Sequence, residues 1–211
     1  MSPVPPLPPF PASRPRRLRR DAAIRALVRE SHLAPSDFIY PVFVLDGKNQ
    51  AQDVASMPGV QRLSVDRLCA QAEACVSLGV PVMALFPVVD ASLKTPDGRE
   101  AFNPDGLVPR VVRALKKEFP ELGLMTDVAL DPYNSDGHDG LVAKDGRILN
   151  DETVEVLCRQ AVCHARAGAD IVSPSDMMDG RVEALRGALD KAGFTEVSIL
   201  SYTAKYASAY Y

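Results

Sequence analysis

The chain has 211 residues, of which 46% are hydrophobic and 24% charged, and its formal net charge is −3. These fractions are average for globular proteins, so they exclude a disordered chain, a collagen repeat and a coiled coil. The near balance of 24 basic and 27 acidic residues gives no support for nucleic-acid binding. No run approaches the roughly 20 apolar residues of a membrane-spanning helix, and the proline-rich start is unlike a secretory signal.

Residues 1–35 are predicted to form an N-terminal arm with a short helix. Residues 1–15 contain seven prolines, which favour an extended conformation because proline cannot enter a helix interior or a central strand. The basic run Arg16–Arg20 follows. It is either a solvated segment or an arm that docks on a neighbouring subunit through guanidinium–carboxylate pairs.

Residues 36–211 alternate apolar strands with amphipathic helices. Strands are predicted over 39–45, 80–89, 123–130, 169–176 and 196–204, with four helices between them. Strands that are apolar on both faces and each followed by a helix predict a parallel α/β sheet covered by helices. The pattern fits the first five strands of a (β/α)8 TIM barrel, which needs eight strands and typically about 250 residues. We therefore expect a C-terminally truncated sequence with an open sheet edge.

Lys205 follows the fifth predicted strand, among tyrosines and small residues such as Tyr202. Burial disfavours an ammonium group and so frees the amine to attack a carbonyl carbon. No carboxylate stands beside Lys205 in the sequence. The alternative is a lysine that is salt-bridged or extends its amine to solvent.

The segment DVALDPYNSDGHDG, residues 127–140, places Asp127, Asp131, Asp136 and Asp139 within thirteen residues. Carboxylate oxygens suit Mg²⁺ better than zinc, and the spacing excludes an EF-hand. The alternative is a solvated, turn-rich loop. Its glycines, including Gly137, also permit a mobile lid over a barrel mouth.

The cysteines and histidines form no metal-binding pattern. The four cysteines make no CxxC motif, lie in predicted helices and are interpreted as small buried residues of a protein in a reducing cytosol. The three histidines have no metal-ligand spacing. These residues are Cys69, Cys75, Cys158, Cys163, His32, His138 and His164.

Three segments carry a resemblance to a known family: SDMMDGR (175–181), DVALDPYNSDGHDG (127–140) and YTAKYASAYY (202–211). With PVFVLDG, SMPGV and ALFPV nearer the start, they resemble porphobilinogen synthase, also called 5-aminolevulinate dehydratase. The resemblance implies a TIM-barrel lyase that condenses two 5-aminolevulinate molecules into porphobilinogen, with loss of two waters, in tetrapyrrole (heme) biosynthesis. It implies that Lys205 is one of two Schiff-base lysines. It also implies a substrate pocket and lid formed by Asp127, Ser175, Tyr202, Asp136 and Gly137.

The resemblance also bears on the metal and on assembly. Zinc-dependent members place three cysteines where this chain has Ala129, Asp131 and Asp139, so no zinc is expected. The chain is similar to the magnesium-responsive type, with Asp131 and Asp139 as candidate ligands. Alternatively, the resemblance implies that magnesium acts at a contact between subunits. Asp176 and Arg181 match residues on one side of that contact. The family forms homo-octamers, whose arms wrap neighbouring subunits.

The second Schiff-base lysine and the groups that hold substrate carboxylates are expected in later strands that this sequence lacks. The chain alone is therefore expected to be inactive and prone to aggregate. Two alternatives stay open. One is another Schiff-base barrel, such as a class I aldolase, and the other is a short non-catalytic subunit that regulates the assembly of full-length subunits.

Overall fold

The computed structural model describes residues 8–206 and residue 209. Contacts divide the chain into two compact units, Met1–Ala34 and Pro35–Tyr211. None of the helices in the described part of the chain is long and apolar enough to cross a membrane.

The first unit contains a 3₁₀ helix, Pro15–Arg19, and helix α1, Ala22–Leu27. Asp21 caps α1, because its carboxylate accepts a hydrogen bond from the Ile24 N–H at 2.9 Å. The predicted extended arm is only partly correct. Residues 1–7 lie outside the described residues, residues 10–12 form a turn, and the exposed basic run lies mostly within the 3₁₀ helix.

The second unit is built on a seven-stranded sheet in the order β2-β3-β1-β4-β5-β8-β9, in which every neighbouring pair except β2 and β3 is parallel. A separate short hairpin pairs β6 with β7. Among the described residues the sheet is open, with β2 and β9 at its edges. The strands are β1 Ile39–Leu45, β2 Ala51–Asp53, β3 Gln61–Leu63, β4 Val82–Val88, β5 Gly123–Val128, β6 Leu141–Val142, β7 Ile148–Leu149, β8 Ile171–Pro174 and β9 Ser198–Ile199.

Four further helices connect the parallel strands: α2 Val65–Leu78, α3 Leu107–Glu118, α4 Asn150–Ala167 and α5 Arg181–Lys191. Gly79 and Gly168 end α2 and α4 in the left-handed conformation, with φ of 76° and 109°. The helices pack their apolar sides on the sheet and so form two clusters of buried side chains, one around Leu68, Leu85 and Val111 and one around Val128, Leu157 and Leu185.

The five predicted strands and four predicted helices are present, but their details differ in three places. The fifth strand is regular only over Ser198–Ile199, which pair with Ile171 and Val172 of β8. Val76 of α2 is 51% exposed, while Cys75 takes the buried position next to it. The sequence does not predict the strands β2, β3, β6 and β7, because two or three residues are too few to show a strand period.

Candidate active site

The carboxyl ends of β5, β8 and β9 meet at one edge of the sheet. Asp127 of β5 is in register with Ser173 of β8, and Val172 of β8 is in register with Ile199 of β9. The segments that follow β8 and β9 therefore emerge beside the end of β5. In α/β barrels this edge carries the reacting groups.

Lys205 is held at this edge by two acceptors. Its Nζ donates a hydrogen bond to Asp139 Oδ2 at 3.0 Å and another to the Ser175 carbonyl oxygen at 2.9 Å. The Lys205 side chain is 22% exposed and the Asp139 side chain 4% exposed. Sequence reasoning missed this carboxylate because Asp139 lies 66 residues before Lys205. Both acceptors favour the ammonium form, so the amine must leave Asp139 before it can act as a nucleophile.

Asp127 is the most perturbed carboxyl group of the site. It is 9% exposed, and its Oδ1 has no hydrogen-bond partner within residues 8–206 and 209. Burial raises the pKa of Asp127 to about 7, against the opposing effect of a Ser175 hydrogen bond. The negative charge of Asp131 adds to the rise and the positive charge of Lys205 opposes it. Asp127 can therefore hold or release a proton near neutral pH.

Tyr202 lies on the β9 side of the same edge. Its backbone N–H donates to the Pro174 carbonyl at 3.2 Å. Partial burial and the nearby charge of Asp127 raise the pKa of the Tyr202 hydroxyl. The hydroxyl is therefore a proton donor rather than an anion at neutral pH.

The loop after β5 is fastened at both ends. Tyr133 and Asn134 are buried, and the Asn134 side-chain amide donates to the Gly140 carbonyl at 3.2 Å. Asp136 and Gly137 form the exposed tip of the loop, away from these anchors. The structure thus brings Asp127, Asp131, Asp139, Ser175, Tyr202 and Lys205 to one edge and leaves the predicted lid residues outside.

The carboxylates do not form a metal cage. Within the described residues no group of three or more His, Cys, Asp or Glu side chains is arranged to hold a metal ion. Asp131 lies on the exposed rim, where partial desolvation and then the charge of Asp139 raise its pKa. Mg²⁺ can bind one or two carboxylates together with water, so Asp131 and Asp139 are of a suitable type. However, Asp139 forms an ion pair with Lys205.

The cysteines lie away from this edge, on helices α2 and α4. All four are free thiols, and burial raises their pKa values. Ala129, at a position where a zinc-type site would need a thiolate, is fully buried. No thiolate ligand is therefore supplied to the carboxyl-end edge by the residues described.

Asp176 and Arg181, predicted to form a subunit contact, are paired within the chain. Asp176 is 1% exposed, and its Oδ2 lies 3.2 Å from Arg181 Nε. Burial raises the pKa of Asp176, while the Met178 N–H and Arg181 oppose that rise. The contact with another subunit stays a prediction.

These features define a class of protein: an α/β chain of barrel type that presents a lysine amine among carboxyl groups at the carboxyl ends of its parallel strands. The family model described as delta-aminolevulinic acid dehydratase matches residues 12–211. The chain belongs to the delta-aminolevulinic acid dehydratase family.

Similar proteins agree with this assignment. The chain is 57% identical over 200 residues to a delta-aminolevulinic acid dehydratase of Bradyrhizobium diazoefficiens, covering 95% of this chain and 56% of the relative. It is 58% identical to a chloroplastic delta-aminolevulinic acid dehydratase of Chlamydomonas reinhardtii, covering 94% of this chain and 51% of the relative.

A solved structure is also similar. The delta-aminolevulinic acid dehydratase (porphobilinogen synthase) of Toxoplasma gondii, in complex with the reaction product porphobilinogen, matches with a TM-score of 0.91 and 52% identity. The match covers 94% of this chain and 56% of that one. The chain thus spans about half the length of the relatives that it matches.

Proposed function

We propose that this chain supplies the Lys205 half of the active site of a porphobilinogen synthase, which joins two 5-aminolevulinate molecules with loss of two waters. The observation that carries the proposal is the Lys205 amine, held 3.0 Å from Asp139 and close to the proton-exchanging carboxyl group of Asp127. Family membership supports the substrate, because the solved relative holds porphobilinogen as its product.

The first chemical step is formation of an imine. The Lys205 ammonium gives up one proton, and the resulting amine attacks the ketone carbon of 5-aminolevulinate to form a carbon–nitrogen bond. A second proton moves from the nitrogen to the former ketone oxygen, which becomes a hydroxyl. A proton delivered to the hydroxyl lets it depart as water, and the carbon–nitrogen double bond remains. The protonated imine then withdraws electrons from the neighbouring carbons, so one of them can lose a proton and join the second substrate.

Asp127 is suited to move those protons. Because its pKa is about 7, a substantial fraction of molecules hold the acid and a substantial fraction the base at neutral pH. Asp139 has a different task, since its carboxylate binds the Lys205 ammonium before the substrate enters. Displacement of that ion pair by substrate converts the lysine from a bound cation into a nucleophile.

The proposal also includes a magnesium ion, a homo-octameric assembly and a location in a reducing cytosol. Magnesium rather than zinc is supported by Ala129, Asp131 and Asp139 standing where a zinc-type site needs cysteines. Mg²⁺ would act at a subunit contact, and Asp131 and Asp139 would bind it only once Lys205 has left Asp139. A homo-octamer is proposed from the family, and a reducing cytosol from four free thiols.

The proposal is tested by assaying the intact natural polypeptide for porphobilinogen formed from 5-aminolevulinate. The variant Lys205→Met should lose the activity, because the imine cannot form. The matched control Lys144→Met, at an exposed lysine of the β6–β7 turn, should keep it. An unsubstituted protein that forms no porphobilinogen but cleaves a sugar phosphate would overturn the proposal in favour of an aldolase.

A further inference from the structure

Arg181 binds two carbonyl oxygens in the segments that carry the site. Its Nη1 donates to the Met178 carbonyl at 3.0 Å and its Nη2 to the Tyr202 carbonyl at 3.3 Å. The Arg181 side chain is only 16% exposed, and it forms an ion pair with the fully buried carboxylate of Asp176. A planar guanidinium can serve three such acceptors together, which an ammonium group cannot do with the same geometry.

The two carbonyls belong to the turns that fix Lys205. Met178 lies in the turn after β8, where Asp176 Oδ1 accepts a hydrogen bond from the Met178 N–H at 2.7 Å. Ser175, in the same turn, provides the carbonyl that accepts from Lys205 Nζ. Tyr202 stands three residues before Lys205 in the segment after β9. Arg181 therefore ties the segment that bears the lysine to the turn that receives its amine.

The chain needs such a tie at this point. The β8–β9 ladder ends at Ile199, and among the described residues the last backbone bond from this segment to β8 is that of the Tyr202 N–H to Pro174. Arg181 binds the carbonyl of the same residue, Tyr202. Beyond β9, the Tyr202 N–H bond to Pro174 and the Arg181 bond to the Tyr202 carbonyl are thus two contacts that hold the backbone leading to Lys205.

We propose that Arg181, oriented by Asp176, is a positioning residue that sets the Lys205 amine for attack on the substrate ketone. The proposal rests on the proposed role of Lys205. It gives the Arg181–Asp176 pair a task inside the subunit, in addition to any contact with a neighbouring subunit. A reacting group that is misplaced by about 1 Å can lose about 100-fold in rate.

The chain offers a matched control on the same helix. Arg186 of α5 donates to the Val197 and Phe194 carbonyls at 2.6 and 2.8 Å and pairs with Asp190. Its contacts have the same chemistry, but they lie before β9 and do not reach the segment that bears Lys205. The Arg186 variant therefore measures how much stability is lost when an arginine that binds carbonyl oxygens is removed from α5.

The experiment compares Arg181→Lys, Asp176→Asn and Arg186→Lys in the intact natural polypeptide. The measurements are the rate at which borohydride-reducible imine forms at Lys205, kcat and KM for 5-aminolevulinate, the melting temperature and the assembly state. Arg181→Lys should slow imine formation and lower kcat by about 100-fold, with KM changed much less. Asp176→Asn should act in the same direction. Arg186→Lys should lower the melting temperature and leave the imine rate within about twofold.

An unchanged imine rate in Arg181→Lys would overturn the proposal, and a changed assembly state in that case would assign the residue to a subunit contact alone. Equal losses in Arg181→Lys and Arg186→Lys would also overturn it, because they would indicate a general loss of structure. Asp176→Asn, which keeps the shape of the side chain, covers the case in which Arg181→Lys does not fold. No imine at Lys205 in the unsubstituted protein would instead refute the proposed function itself.

Discussion

Replacing Asp127 with asparagine should stabilise the fold at neutral pH while it removes the proton-transfer group. Asp127 is buried with one oxygen unpartnered by the described residues, and its pKa rises from 3.8 to about 7. The native state therefore keeps a proton that the unfolded chain releases, so this contribution to stability is present below about pH 4 and is lost as the pH rises through 7. A difference of about three pKa units corresponds to about 4 kcal/mol.

The assay is urea unfolding of both proteins from pH 4 to pH 8 at one fixed protein concentration. The stability of Asp127→Asn relative to the parent should increase by about 4 kcal/mol across this range, because asparagine does not ionise. The control Asp136→Asn, at the exposed loop tip, should follow the parent. Parallel stability curves for the parent and Asp127→Asn would refute the reasoning that burial holds this carboxyl neutral.

Two further predictions concern a buried histidine of α4 and a crowded glycine in the loop after β5. His164 is fully buried, neither ring nitrogen has a hydrogen-bond partner in the described chain, and burial lowers its pKa to about 3. Between about pH 3 and pH 6.5 only the unfolded state takes up this proton, so the ratio of folded to unfolded protein falls about tenfold per pH unit on this account. His164→Leu should remove that loss; unchanged acid sensitivity of the variant would contradict this. In Gly140→Ala the new methyl would lie 2.9 Å from Ile148 Cγ2 and 3.2 Å from Thr153 Oγ1. This variant should melt at a lower temperature, whereas the helical control Gly187→Ala, with open space at its Cβ, should melt at a higher one; equal shifts would argue against the crowding.

The parallel sheet could be predicted because its strands are continuous apolar runs. β1, β4, β5 and β8 are apolar and each has residues buried in the core, so their composition indicates their structure. The edge hairpin of β2 and β3 could not be predicted in this way, because three-residue strands such as Ala51–Asp53 carry no apolar period. A strand of this kind is defined by its partner rather than by its own residues.

The sequence indicates which residues belong to the candidate site, but it does not indicate which of them contact one another. The motifs that contain Asp127 and Lys205 identify the groups, because Asp127 lies near the end of a predicted strand and Lys205 follows one. The ion pair between Lys205 and Asp139 and the contact of Arg181 with the Tyr202 carbonyl join residues 66 and 21 positions apart. Such pairings depend on which strands are neighbours and where each turn points, which no local pattern encodes.

The measurement that tests the central claim most directly is borohydride trapping with 5-aminolevulinate on the intact natural polypeptide, followed by peptide mass mapping. The account predicts that the peptide containing Lys205 gains one substrate, minus one water and plus two hydrogens. The gain at that peptide should be absent in Lys205→Met and present in the exposed-lysine control Lys144→Met. A protein that forms porphobilinogen while the Lys205 peptide stays unmodified would contradict the account.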